Sequence, residues 1–367
     1  MNQLKRIEVK GFKSIRSAEI ELRPLNVLVG ANGAGKSNLI SLFKMLGYMS
    51  TSALQEFIGR AGGADSLLYY GSRMTPVVSC ELQFVTDTGT NTYMQKLAHA
   101  AVDTLIFVDE RIRFQRPQFP NPQDKQLGAG HKESGLPEFA KAGDRTAQVI
   151  LRLLKGCRVF QFHDTSESAH IRNTAYIEDN RYLRSDAGNL APFLYSLRET
   201  KPEHYSRIVA TIRQLAPFFA DFDLAPSRVS PKNILLNWRD KDSKFLFGPH
   251  QLSDGTLRAM ALITLLLQPE EYLPDVLLVD EPELGLHPAA IHLLAALLRS
   301  VSAHHQVVVS TQSVSLVDRL EPEDVIVVER HEDESAFHRL NSVDINEWLQ
   351  DYTLSELWEK NVIGGRP

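Results

Sequence analysis

Gly30-Ala31-Asn32-Gly33-Ala34-Gly35-Lys36-Ser37 follows the spacing G-x-x-x-x-G-K-S, the pattern of a loop that cradles phosphate. An apolar run, Leu25–Val29, precedes it, and a helical pattern from Asn38 to Leu46 follows. The chemistry needs that strand, loop and helix order. Gly30, Gly33 and Gly35 let the backbone wrap so that several N–H groups converge on one anion. The helix N-terminus adds partial positive charge at the same place. Lys36 reaches toward β- and γ-phosphates, and the Ser37 hydroxyl suits Mg²⁺. Ala31, Asn32, Ala34 and Asn38 complete the stretch expected to touch the nucleotide. The competing reading, a glycine-rich turn that binds nothing, leaves both the lysine and the flanking elements unexplained.

Far along the chain, Val276-Leu277-Leu278-Val279 runs into Asp280-Glu281. Four apolar residues ending in two carboxylates read as a buried parallel strand that opens at its C-terminal edge, where ligands of such sheets bind. Asp280 is the candidate metal ligand with Ser37. Glu281 is the candidate that polarises an attacking water. Phosphoryl transfer requires that division between neutralising the oxygens and orienting the nucleophile.

Leu252-Ser253-Asp254-Gly255-Thr256 precedes a helical run, Leu257–Leu267. Ser and Asp before a helix ordinarily cap it. The order of phosphate loop, L-S-x-G, acidic strand and switch segment resembles that of the ABC-type ATPases, whose signature is L-S-G-G-Q. In that family the signature of one subunit completes the ATP site of the other, which the resemblance carries onto Ser253 and Gly255. Asp254 stands where the family has glycine. A carboxylate there repels a γ-phosphate, so Asp254 is expected to point away or to cap its own helix.

The resemblance narrows further. L-K-R-I-E-V-K-G-F-K-S-I from Leu4, the P-L-N-V-L-V-G segment, Glu281-Pro282-Glu283-Leu284-Gly285-Leu286-His287-Pro288, and the closing stretch from Leu357 through Gly364-Gly365-Arg366-Pro367 are similar to the RecF/SMC branch. That branch includes the ATPases of the overcoming-lysogenization-defect nucleases. The closing stretch is similar to that of small bacterial ATPases of the branch without a long coiled coil. The likeness is weakest between about Thr86 and Arg158. It implies ATP and Mg²⁺ as cofactors, a homodimer or higher homo-oligomer, and a basic residue near the nucleotide at Lys13. For Lys13 a plain surface lysine at a strand end is the alternative. The switch strand Gln306–Thr311 is followed by Gln312, where the family usually has histidine against the γ-phosphate. An amide still donates but carries no proton or charge. Slow hydrolysis and a neutral substitution both stand, and Glu281 keeps hydrolysis expected.

The fold class expected is α/β: a P-loop NTPase, an ABC-ATPase head with a mixed N-terminal β lobe and a parallel-sheet core flanked by helices. It is expected as one composite domain over 1–367, with an N-lobe to about 85, a variable insertion over about 86–158, and the signature, acidic strand and switch in about 159–367. Asp144–Lys155 reads as an amphipathic helix. Arg116–Gly135, rich in Pro, Gly, Gln and Lys, reads as a long loop or disordered tip. No heptads of coiled-coil length occur.

The chain has 367 residues and a net charge of −5, which argues against a generally basic nucleic-acid surface. Arg111, Arg113 and Arg116 alternate with Ile112 and Phe114, and Arg172, Arg181 and Arg184 come later. DNA contact and a solvated strand face are the two readings of the first cluster. No apolar run approaches the roughly 20 residues of a membrane helix, and the start is strand-like, so a cytoplasmic protein with buried thiols at Cys80 and Cys157 is expected. His163-Asp164 lacks a nucleophile motif nearby. His287 stands either as a sensor across a dimer interface or as a local structural histidine.

Taken together, the residues point to an ATP-binding and ATP-hydrolysing switch that closes head to head. It would control a separately encoded nuclease or other effector, in antiphage defence or DNA repair by resemblance. The sequence shows no acidic-cluster nuclease module after the ATPase motifs. An ATP-holding scaffold with little turnover and a transporter motor subunit are the rivals.

Overall fold

The computed structural model describes residues 2–119 and 121–366. They fall into two units, 1–159 with 274–278 and 302–367, and 160–273 with 279–301. The strands are β1 Gln3–Phe12, β2 Ile15–Glu21, β3 Leu25–Val29, β4 Val77–Thr86, β5 Gly89–Ala100, β6 Thr104–Gln115, β7 Gln123–Gly128 and β8 Cys157–Phe160. They continue with β9 Ala175–Tyr176, β10 Phe219–Asp223, β11 Asn233–Ile234, β12 Asn237–Asp240, β13 Leu246–Phe247, β14 Val276–Asp280, β15 Gln306–Thr311, β16 Val325–His331 and β17 Glu334–Arg339. The helices used below are α1 Lys36–Met49, α2 Leu54–Arg60, α3 Leu136–Lys141, α4 Arg145–Lys155, α5 Leu190–Thr200, α6 Pro202–Leu215, α7 Asp254–Leu267 and α8 Pro288–Ser302.

The first unit holds two sheets. One runs β2-β1-β4-β5-β6-β7, and the other β17-β16-β3-β15-β14-β8. The first sheet alternates in burial, as β4 shows with Val78, Cys80, Leu82 and Phe84 turned inward, the signature of an antiparallel sheet with one wet face. β3 is buried at every position and pairs in parallel with both β15 and β16. A strand covered on both faces is expected to be apolar throughout, and Asn26 is an informative exception. Its amide donates to the Arg23 and Val307 carbonyls, and its oxygen accepts from Arg23 N and an Arg339 nitrogen. A buried polar group so satisfied costs little. Burial pushes the Arg339 guanidinium down to about 10. Gln306 clamps the two sheets together, with its amide bonded to both Leu4 N and Leu4 O at 2.9 Å. α1 buries Leu39, Ile40, Leu42, Phe43 and Leu46 in the core that also takes Ile7, Val9 and Phe84.

The segment 86–158 carries β5, β6 and β7 of the same sheet as β1, followed by α3 and α4. The helix expected over Asp144–Lys155 is α4, capped by the Asp144 carboxylate on Ala147 N at 2.8 Å. The expectation of a structureless Arg116–Gly135 is corrected. Gln123–Gly128 is an edge strand paired antiparallel with β6, and polar edge strands carry no hydrophobic alternation to announce them. The turn between β7 and α3 is held by Glu110, which is fully buried on β6. It accepts from Tyr93 Oη at 2.6 Å, Ser134 Oγ at 2.5 Å and Gly135 N at 2.9 Å, and meets His131 Nε2 at 2.8 Å. Arg113 pairs with Asp124 of β7, and Arg111 with Asp109. Cys80 and Cys157 are buried free thiols, and burial raises the Cys80 thiol to about 12.

The second unit is mainly helical. α5 and α6 meet at Lys201 with Pro202 starting α6, as a proline at the first helical position favours. α6 buries Ile208, Val209 and Ile212, and α7 buries nearly every position from Leu257 to Leu267. A small sheet, β10-β12-β13, stacks Trp238 on Phe247 at 4.7 Å, and β9 pairs with β11. β14 begins in the first unit, and its last residues, Val279 and Asp280, count with the second. No helix among the described residues is long and apolar enough to cross a membrane.

Candidate nucleotide site

In the first unit the phosphate loop joins β3 to α1. Gly30 lies at φ 157°, and a Cβ there would sit 2.1 Å from the Val328 carbonyl oxygen of β16. Gly35, the N-cap of α1, lies at φ 119°, with a Cβ blocked by Ser335 Oγ at 2.1 Å. Both glycines are therefore demanded by β16 and β17 packed behind the loop. Lys36 is buried, and its Nζ donates to Gly30 O at 2.6 Å and Ala31 O at 3.0 Å. Its ammonium thus lies inside the curve of the loop. Ser37, Asn32 and Gly33 are exposed, so the hydroxyl proposed for the metal faces solvent. Ala34 and Gly35 are buried structural members of the turn.

A serine relay supports the loop from behind. Ser335 Oγ bonds Ala34 O at 2.6 Å and Ser14 Oγ at 2.6 Å, and Asn38 Nδ2 donates to Ser14 Oγ at 2.6 Å. Asn38, expected to touch nucleotide, is engaged in this relay. Lys13 lies at φ 49° and donates to Ser41 Oγ on α1 at 2.8 Å. Burial, helped by Lys44, lowers its ammonium below the ordinary value. Gln312 donates its amide to Asn32 Oδ1 at 2.7 Å, so the switch residue reaches the loop directly. The stretch after Leu357 also comes here. Gly365 N donates to Glu329 Oε1, the indole of buried Trp358 donates to Gly365 O, and a Cβ on Gly365 would lie 3.5 Å from Gly30 Cα.

In the second unit, Asp280 ends β14 and is buried. Gln161 Nε2 donates to its Oδ2, and His163 Nε2 donates to its main-chain carbonyl at 2.9 Å. That carbonyl has no proton, so His163 carries one on Nε2. Glu281 follows at φ 42°, a left-handed backbone that costs a non-glycine residue roughly 1 kcal/mol or more. Ser253 is the N-cap of α7, its Oγ accepting from Thr256 N at 3.2 Å, and it remains exposed. The capping and the ligand readings of Ser253 are thus compatible. Gly255 is required by packing, because a Cβ there would stand 2.2 Å from Gly285 O. Arg258, one turn on, donates to Phe162 O, His163 O and Leu284 O. It ties α7 to the segment carrying Gln161 and to the one after Glu281. His287 caps α8 locally, accepting from Ala289 N at 3.3 Å.

A family model described as "AAA domain, putative AbiEii toxin, Type IV TA system" matches residues 25–318. The chain belongs to that AAA-domain family. It is 23% identical over 355 residues to the Old nuclease of Escherichia phage P2, covering 86% of this chain and 57% of that protein. The chain therefore spans little more than half the length of this curated relative. Among solved structures it is similar to an SMC head bound to the C-winged helix domain of ScpA, with a TM-score of 0.60 and 16% identity, covering 94% of this chain and 99% of that one. An SMC head domain from Thermotoga maritima gives a TM-score of 0.51 and 15% identity over 92% of this chain and 99% of that one. The likeness to these two structures shows the fold, that of an SMC-type P-loop ATPase head.

Sequence reasoning passed over Gln161 and Arg258, and met Arg172 only as one of a basic group with Arg181 and Arg184. Gln161 and His163 lie in Q-F-H-D-T, a string read only for a catalytic pair. The signal available was the polar residues Gln161, His163 and Asp164 directly after the strand Cys157–Phe160.

Proposed function

We propose that this AAA-domain protein is an ATP-binding, ATP-hydrolysing switch whose two copies close face to face around two nucleotides. The observation that carries the reading is the phosphate loop, with buried Lys36 turned onto its own carbonyls and α1 starting directly behind it. Backbone N–H groups and the helix end there favour an anion, and Lys36 supplies the charge for β- and γ-phosphates. Ser37 and Asp280 are hard oxygen donors, which suits Mg²⁺. When bound, that ion would neutralise phosphate oxygens. Gln161 holds the Asp280 carboxylate in place, and Glu281 orients the attacking water. Ser253 and the N-terminus of α7 are assigned to the nucleotide held by the other copy.

The phage P2 relative, named a nuclease, supports a nuclease-related setting; control of a separate effector, in antiphage defence or DNA repair, is part of the proposal and comes from the resemblance of the motifs. DNA contact through Arg111 and Arg113 would require them to leave Asp109 and Asp124. A scaffold with little turnover is the second reading, favoured by the Gln312–Asn32 bond in place of a charged switch residue. Light scattering of Glu281→Gln protein with and without Mg-ATP tests the switch. The mass doubles with nucleotide, and Ser253→Arg abolishes the doubling. A monomer under both conditions rejects the shared site, and a single-turnover assay on the parent separates enzyme from scaffold.

A further inference from the structure

Arg172 is a buried cation that the proposed chemistry does not use. Its side chain is 6% exposed, and it lies in the second unit among four acceptors. Nε donates to Thr165 O at 2.7 Å. One terminal nitrogen donates to Pro249 O and to Leu252 O, and the other to Leu252 O at 3.2 Å and Asp254 Oδ1 at 2.7 Å. The guanidinium therefore grips both sides of the turn that presents Ser253. Burying an unpaired guanidinium is costly, and only a planar fork with five N–H groups satisfies so many acceptors at once.

Asp254 gives the arrangement its point. It is the first residue of α7, where a carboxylate favours the positive end of its own helix. Left there, it would compete with any phosphate brought to Ser253. The Asp254 carboxylate is instead engaged by Arg172, and the Arg172 contact is the principal cause of its lowered pKa. A single side chain thus fixes the loop and occupies the charge that makes this loop differ from L-S-G-G-Q.

We infer that Arg172 is a positioning residue for the Ser253 loop, holding it in shape and drawing the Asp254 carboxylate aside so that the α7 N-terminus stays open to the nucleotide of a second copy. This rests on the shared-site reading above. It sets Arg172 apart from a residue that only stabilises the fold, because its loss should spare nucleotide binding by each protomer and impair the step that needs two.

The test uses the full chain with Arg172→Lys, Asp254→Asn and the double variant, with Ser253→Arg as reference. Mg-ATP affinity is measured by equilibrium dialysis at low protein concentration, and kcat and KM are measured alongside Tm. Arg172→Lys keeps the charge but loses the fork. It is expected to lower kcat tenfold or more with protomer affinity within twofold of the parent. Asp254→Asn lowers kcat about threefold, and the double variant is no worse than Arg172→Lys. Asp254 is largely exposed, so its variant reports even if Arg172→Lys folds poorly. Parental kcat in both single variants overturns the inference, as does a parallel fall of kcat, affinity and Tm. Ser253→Arg with parental kcat would instead overturn the shared site itself.

Discussion

His163 donates its Nε2 proton to the main-chain carbonyl of Asp280 at 2.9 Å, while Gln161, two residues earlier, donates to the Asp280 carboxylate. One short segment therefore fixes both the backbone and the side chain of the acidic residue assigned to the metal. His163→Leu removes this hydrogen bond, which costs about 1 kcal/mol. We expect a lowered Tm and a kcat reduced about tenfold, with His163→Gln restoring much of both. Equal kcat in His163→Leu and the parent would show that the bond does not orient Asp280.

Gln161→Glu sets a second carboxylate against Asp280. Like charges at hydrogen-bond distance cannot both ionise freely. Titration of activity with Mg²⁺ should show a higher midpoint for Gln161→Glu than for Gln161→Ala. The reverse order would place the ion elsewhere.

Glu281 lies at φ 42°, where asparagine or glycine fits with less strain. Glu281→Asn is therefore expected to raise stability by up to about 1 kcal/mol in urea unfolding while abolishing turnover. A destabilised Glu281→Asn protein would mean that contacts of the Glu281 side chain outweigh its backbone strain.

Asp254 has a carboxyl held below the ordinary range, first by its bond to Arg172. A depressed folded-state value contributes stability above the unfolded value, near 3.9. That contribution is lost as pH falls through the lower folded value. Parent and Asp254→Asn should differ in Tm from pH 5 to 8 and converge progressively as pH falls below the unfolded value. A gap that widens on acidification contradicts the pairing.

Gly365 packs where a Cβ would meet Val327 Cγ1 at 2.6 Å, beside Gly30. Gly365→Val should press on the start of the phosphate loop and raise KM for ATP several-fold with a smaller change in kcat. An unchanged KM would make the contact incidental to nucleotide binding.

Much of this arrangement is legible in the residues. Leu25–Val29 and Val276–Val279 are apolar strands ending in chemistry, and G-x-x-x-x-G-K-S has one strong reading. Pro202 marks the break between α5 and α6, and Asp144 announces α4. The strand at Gln123–Gly128 is hidden because its pairing partner, β6, supplies the hydrogen bonds while its side chains, Leu127 excepted, stay exposed. Gln161 and Arg172 are hidden for a different reason. Their roles depend on Asp280 and Asp254, 119 and 82 residues away, and no local pattern encodes such distant partners. Asp254 did carry a signal, since its carboxylate was expected to turn away from a phosphate, and Arg172 is the residue that holds it.

β3, which delivers the chain to the phosphate loop, lies between β16 and β15, and Ser335 braces Ala34 across 301 residues of sequence. A ribosome making this protein releases the loop well before its supports. Until β15, β16 and β17 emerge, the Leu25–Val29 strand has no parallel neighbours and remains an exposed apolar edge. Nucleotide capture is thereby postponed until β15, β16 and β17 have emerged, and a chain that stops before Gln306 is expected to carry no working phosphate site.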